Sequence, residues 1–171
     1  MKKEATTIKT KVKIYKIKDS KELKEAGNNF KKIKKLAYFK SEKFNVIPDS
    51  GIERVLRAVA AKASTLTEVQ INNCALGTTG GHTKASTTLN TETYRKNISS
   101  VSHSGRYLYT TSYYLPGDCN GNFREEGVFI DGDGTGFVDT GYPLSLVDLT
   151  AAEGDKTTSE ALLIERVFLF R

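Results

Sequence analysis

Histidine and cysteine are scarce, with two of each in 171 residues. His82 and His103 lie far apart and outside any G-x-S-x-G nucleophile turn, so Ser-His-Asp or Cys-His chemistry has no recognisable base. Zinc wants three or four His or Cys ligands at paired spacings, and four scattered candidates do not provide them. Neither Cys74 nor Cys119 belongs to a CxxC, and two thiols in a reducing compartment are expected to stay free. No stretch approaches the roughly 18 apolar residues that span a bilayer, so no membrane partner is expected. Gly77, Gly80 and Gly81 fall in GTTGGHT, which lacks the GK[ST] of a phosphate loop. The adjacent carboxylates Glu125 and Glu126 would point to opposite faces of a strand and cannot converge on one bond. Together these absences argue against an enzyme.

Charge is plentiful but uneven. Residues 1–43 carry 15 lysines against five acidic residues, a net of +10, and the rest of the chain nets −4. Such a basic front is either a solvated face or a surface that docks on an acidic partner or nucleic acid. No RNP, zinc-finger or helix-turn-helix signature accompanies it, so nucleic acid is the less expected partner. No apolar h-region follows the first lysines, so synthesis in a cytoplasm is expected, and the sequon Asn97-Ile98-Ser99 has no role there. A hydrophobic content of 38% supports a real core and argues against wholesale disorder.

The order of elements reads as mostly β. TIKTKVKIYKI (7–17) sets Ile8, Thr10, Val12 and Ile14 against lysines with period two, a strand with one solvated face. Residues 20–38 mix helical spacing with the interrupter Gly27-Asn28-Asn29, and read as a turn followed by a short helix or second strand. Pro48 ends an extended segment, and Ser50 with Glu53 has capping-box spacing. Ile52, Val55, Leu56, Val59, Ala60 and Ala63 then form one apolar helical face, which predicts an amphipathic helix over 50–63 packed on a sheet. Strands are expected at 68–76 (with Val69 and Ile71 inward), 95–103, 106–115, 122–130, 141–149 and 159–170, with a hairpin turn at Ser104-Gly105. The last has apolar residues on both faces and should be central. The expected architecture is therefore an antiparallel β-sandwich with one amphipathic helix packed on it. Residues 1–43 are expected to form a basic strand and arm, and 44–171 the sandwich domain.

Three patterns could carry binding. Asp131, Asp133, Thr135 and Asp139 match positions 1, 3, 5 and 9 of a calcium loop, but position 12 is Tyr142 rather than a bidentate Glu, and a strand precedes the loop. The glycines suit a hairpin tip equally well, and that reading is preferred, with no cofactor expected and calcium as the alternative. Tyr107, Tyr109 and Tyr113 share one strand face, which is either cross-strand packing or a stacking platform for a sugar or base. Gly77 to Asn90 is a polar loop long enough to meet a partner, with His82 inside it.

The order of motifs resembles a family of small structural proteins of tailed bacteriophages, the tail-fibre and tail-associated proteins. The matching residues are Asn45-Val46-Ile47-Pro48-Asp49-Ser50-Gly51, Ala75-Leu76-Gly77-Thr78-Thr79-Gly80, Leu89 to Lys96 and Phe123-Arg124-Glu125-Glu126-Gly127-Val128-Phe129, with Leu162 to Phe170 closing the series. The likeness covers roughly residues 40–171. It implies a non-enzymatic virion part, made in the host cytoplasm and present as a homo-oligomer in a symmetric assembly with other virion proteins. On that expectation the basic region, with Lys11, Lys13 and Lys16, attaches to a neighbouring virion protein. The loop 77–90 and the tip 131–136 would then lie at the opposite end. The alternative is a carbohydrate-binding or receptor-binding domain that takes a host surface glycan on Tyr107, Tyr109 and Tyr113, with a calcium-braced loop. Two departures from the family pattern are the long lysine-rich 18–43 segment and the acidic DGDGTG tip.

Overall fold

The computed structural model describes residues 8–60, 70–132 and 140–170. In chain order the elements are β1 (Ile8–Lys18), α1 (Lys21–Ala26), α2 (Phe30–Lys35), β2 (Phe39–Lys43), α3 (Asp49–Ala60) and β3 (Ile71–Gly77). They continue with β4 (Glu92–Asn97), β5 (Ser100–Ser104), β6 (Tyr107–Tyr114), β7 (Gly121–Asn122), β8 (Glu125–Ile130) and β9 (Tyr142–Asp148). The last are α4 (Ala151–Gly154), β10 (Asp155–Lys156) and β11 (Glu160–Phe170).

Period-two alternation explains how the strands stack. One antiparallel sheet runs β2-β1-β11-β6-β5, a second runs β4-β3-β8-β9, and β7 pairs with β10. The inward residues of the two large sheets meet in one core: Val12, Ile14, Leu162, Ile164 and Tyr114 from the first, Cys74, Leu76, Val128 and Val147 from the second. This is the mainly β antiparallel sandwich that the strand pattern predicts. β11 sits in the middle of its sheet, as its two apolar faces require. Its outward residues Ala161 and Leu163 meet Leu23, Ala26 and Ile33 of α1 and α2, which cap that end of the outer face.

Several expectations need correction. Residues 8–43 are not an appended arm, because β1 is hydrogen-bonded on both sides and its Val12 and Ile14 belong to the central core. The segment 20–38 forms two helices. Gly27 closes α1 with φ 54°, and Asn29 caps α2 by accepting from the Lys32 backbone N–H at 3.1 Å. The expected strand 95–103 is two strands in different sheets, broken at Ile98-Ser99 as the chain crosses the sandwich. The helix begins at Asp49, so Ser50 lies inside its first turn, with its hydroxyl buried and without a hydrogen-bond partner among the described residues. Residues 61–63 of the expected helix, and Val69, lie outside the described residues. A capping-box contact occurs instead at α4, where Glu153 Oε2 accepts from the Thr150 backbone N–H at 2.8 Å.

Gly51 decides how closely α3 approaches β9. A Cβ there would overlap the carbonyl oxygen of Pro143. Gly51→Ala should therefore destabilise the fold by about 1–3 kcal/mol through overpacking. It should do so although Ala is favoured over Gly in a helix by about 1 kcal/mol. A urea unfolding curve checks this, and a midpoint equal to or above the parent's would show that the helix simply shifts.

Candidate functional site

Two clusters of buried charge are organised around β8. Glu125 and Glu126 do face opposite ways, and both are fully buried. Glu125 points away from the sandwich core and collects the polar loop. Its Oε1 accepts from the backbone N–H of Thr91 at 2.7 Å and of Thr79 at 3.4 Å, and its Oε2 from that of Asn90 at 2.9 Å. His82 Nε2 lies 2.8 Å from Oε2, with the imidazole fully buried. Burial pushes the Glu125 carboxyl up, but the adjacent His82 imidazole and the hydrogen bonds from the Thr91 and Asn90 backbone outweigh it and hold the group below the ordinary glutamate range. Gly77 is required beside it, since a Cβ would overlap Glu125 Oε1. Asp148 Oδ1 adds a second anchor, accepting from the Gly81 N–H at 2.9 Å. Leu89 seals the loop onto Ala75, Phe129 and Leu146. The loop 78–91 therefore lies flat on the outer face of the second sheet.

Glu126 points the other way, into the sandwich, where its carboxylate meets the Arg166 guanidinium and accepts from Tyr114 OH at 3.4 Å. Arg166 Nε donates to Ser145 Oγ at 2.9 Å, Asn45 Nδ2 donates to the same hydroxyl, and Thr10 Oγ1 donates to Asn45 Oδ1. Burial pulls Arg166 down to about 10, so it remains a cation at neutral pH. Burial also raises the Cys74 thiol and, well above its usual value, the Tyr114 phenol, which keeps both neutral. Both cysteines are free thiols. This layer ties β1, β6, β8, β9 and β11 together, and the charged pair at its centre, Glu126 and Arg166, is fully buried. Sequence reasoning missed it, although each member of the pair carries a signal. Glu126 precedes Val128, and Arg166 sits between Ile164 and Phe168, each a charged residue at the core-facing parity of an apolar strand.

The anticipated binding residues fall into two groups. Lys11 and Lys13 lie on the solvated face, with Glu42 2.5 Å and 3.9 Å from their ammonium groups. Exposed pairs of this kind hold a side chain only loosely. Tyr107 and Tyr109 are also exposed, their rings stacked with centroids 6.2 Å apart. The other residues are enclosed. Lys16 is buried and donates to the Asp155 carbonyl, close to Glu160. Tyr113 does share a face with Tyr107 and Tyr109, but α2 covers it, and Phe30 meets its ring edge-on at 5.9 Å. The three-tyrosine platform is thus a pair. His82 belongs to the Glu125 cluster and does not reach outward. Asp131 spends one oxygen on the Gln70 backbone N–H at 3.0 Å, while the other lies 2.6 Å from Arg54. Each Asp131 oxygen thus has a protein partner. Asp133, Thr135 and Asp139 lie outside the described residues.

What remains open is the other half of the first sheet's outer face. Cross-strand registers place Lys11, Val167, Tyr109 and Ser102 in one row and Leu169, Tyr107 and Ser104 in the next. Val167 and Leu169 are half-buried between exposed tyrosines on one side and Lys11 on the other. Two shallow depressions of about 250 and 320 Å³ border the helical hairpin rather than this strip. The chemistry that the strip offers is flat apolar contact edged by ammonium groups, which suits adhesion to another surface. Comparison with protein-family models, with curated proteins and with solved structures finds no match to this chain.

Proposed function

We propose that this protein is a structural component of a tailed-bacteriophage virion, a tail-fibre or tail-, collar- or baseplate-associated part that acts by symmetric protein–protein docking. One observation carries the reading: the residues that bear the resemblance are the ones that hold the sandwich together. Asn45 joins the buried hydrogen-bond chain, Gly51 sets the approach of α3, and Gly77 makes room for Glu125. Glu125 and Glu126 pin the two faces of β8. In this arrangement the buried ionisable groups maintain a scaffold, and contact with partners falls to the open strip of Tyr107, Tyr109, Val167 and Leu169 with Lys11 and Lys13. Repeated copies convert a modest strip of this kind into stable attachment.

The test is mass spectrometry of purified particles from the phage whose genome encodes the chain. Peptides of this protein are expected at an abundance comparable with other tail proteins, in a fixed ratio across preparations. Their absence from particles that form normally would overturn the proposal.

A further inference from the structure

Four strands form the edges of the two large sheets: β2, β5, β4 and β9. An uncovered edge presents unpaired backbone groups, and proteins usually guard it with charge, proline or a covering segment. Three of the four follow that rule. β2 carries Lys40, Glu42 and Lys43, and β4 carries Glu92, Arg95 and Lys96. β9 is covered by Val46, which exchanges backbone hydrogen bonds with Leu146 at 2.8 and 2.9 Å, and by α3. β5 is different. Its sequence is Ser-Val-Ser-His-Ser, with no lysine, arginine, acid or proline, and Val101 to Ser104 are all exposed on both faces. Among the described residues no second strand pairs with its free edge.

We propose that β5 is the subunit interface of the oligomer, pairing antiparallel with β5 of a second copy of this chain. The inference rests on the virion reading, and names the surface through which its copies meet. The occupant follows from charge. Two copies of a chain with net charge +6 repel each other over most approaches, and a charge-free edge is where they can come together. The strand is also self-complementary. With Ser102 on the two-fold axis, Ser100 faces Ser104 and Val101 faces His103, so small hydroxyls occupy one face and the exposed valine gains a cover on the other. The two five-stranded sheets then become one continuous sheet. β5 lies directly beside β6, so the pairing also sets the Tyr107 and Tyr109 pairs of both copies on the same side of that sheet, with their strands about 14 Å apart.

Ser102 is exposed, so charge can be placed on the axis without disturbing the fold. Sedimentation velocity over a wide concentration range should show a concentration-dependent dimer for the parent chain. Ser102→Lys and Ser102→Glu, which each set like charges opposite one another, should weaken it about tenfold or more. An equimolar mixture of the two variants should restore association. A parent chain that stays monomeric at every concentration overturns the proposal, as does a dimer equally strong in both variants. Either result, with the protein still found in particles, removes this interface and leaves the virion reading standing. Absence from particles removes the latter whatever the dimer does.

Discussion

Arg166→Met is expected to lower stability by about 3–5 kcal/mol, because Glu126 then remains buried in the sandwich without its cation. The side chains that would have to shelter that charge are Tyr114, which donates one hydrogen bond at 3.4 Å, and an apolar surround of Val128, Ile164 and Leu162. Two further measurements separate this cause from lost packing. The double variant Arg166→Met/Glu126→Leu removes both charges and should recover most of the loss, leaving it within about 1–2 kcal/mol of the parent. Strong non-additivity in a cycle of urea unfolding curves is the expected signature. The second measurement is pH. In Arg166→Met the buried carboxyl should take up a proton, its pKa in the folded state rising above the unfolded value near 4.3. The penalty is then absent below that unfolded value and grows as pH rises toward the folded one. The deficit should shrink as the solution is acidified. A deficit independent of pH, or a double variant no better than the single, would refute an electrostatic origin.

Glu125→Ala should cost a comparable amount, about 3–5 kcal/mol, for a different reason. Here the casualties are donors: the backbone N–H groups of Thr91, Asn90 and Thr79, together with the His82 imidazole. The loop 78–91 should lift from the second sheet and expose Leu89 and Phe129, which limited proteolysis and amide exchange would register locally. Glu125→Gln retains one acceptor oxygen and should cost less. The acid limb of the stability curve gives the cleaner test. Glu125 is held below the ordinary range in the folded protein, so its contribution is present above the unfolded pKa near 4.3 and is lost as pH falls through the lower folded value. Glu153, bound by Lys43, Ser41 and Thr150, and Glu160, bound by Tyr38 and Thr157, are depressed too and act in the same direction. Glu125→Gln should therefore flatten part of the loss below pH 4.3 without abolishing it. An acid limb identical to the parent's would show that Glu125 titrates alike in the folded and unfolded chain.

What could be read from residues alone follows the range of the interaction. β1 and β11 were legible because period-two alternation is local, and the central place of β11 followed from apolar residues on both faces. Gly27-Asn28-Asn29 looked like a helix breaker, and it is one, yet it separates two helices whose caps lie on either side of it. The break at Ile98-Ser99 left no local trace, since the alternation there does not record which sheet the next strand joins. The candidate site was legible to the same depth. That Tyr107, Tyr109 and Tyr113 share a face follows from parity alone, whereas the burial of Tyr113 depends on α2, some 80 residues earlier in the chain. The same holds for His82 and Lys16, whose enclosure is set by Glu125 and by the Asp155–Glu160 segment. Arg166 and Glu126 were the exceptions, since a charge at core parity is visible in each strand and only the pairing is not.

The back-to-back glutamates of β8 have one more consequence. Sliding this strand by a single residue would turn Glu125 toward Arg166 and Glu126 toward the loop, and would carry Val128 and Phe129 to the wrong sides with them. Each carboxylate thus works as a tooth in a separate lock, and the chain closes only when both engage. Insertions or deletions of one residue between Arg124 and Ile130 should be among the least tolerated changes in this protein.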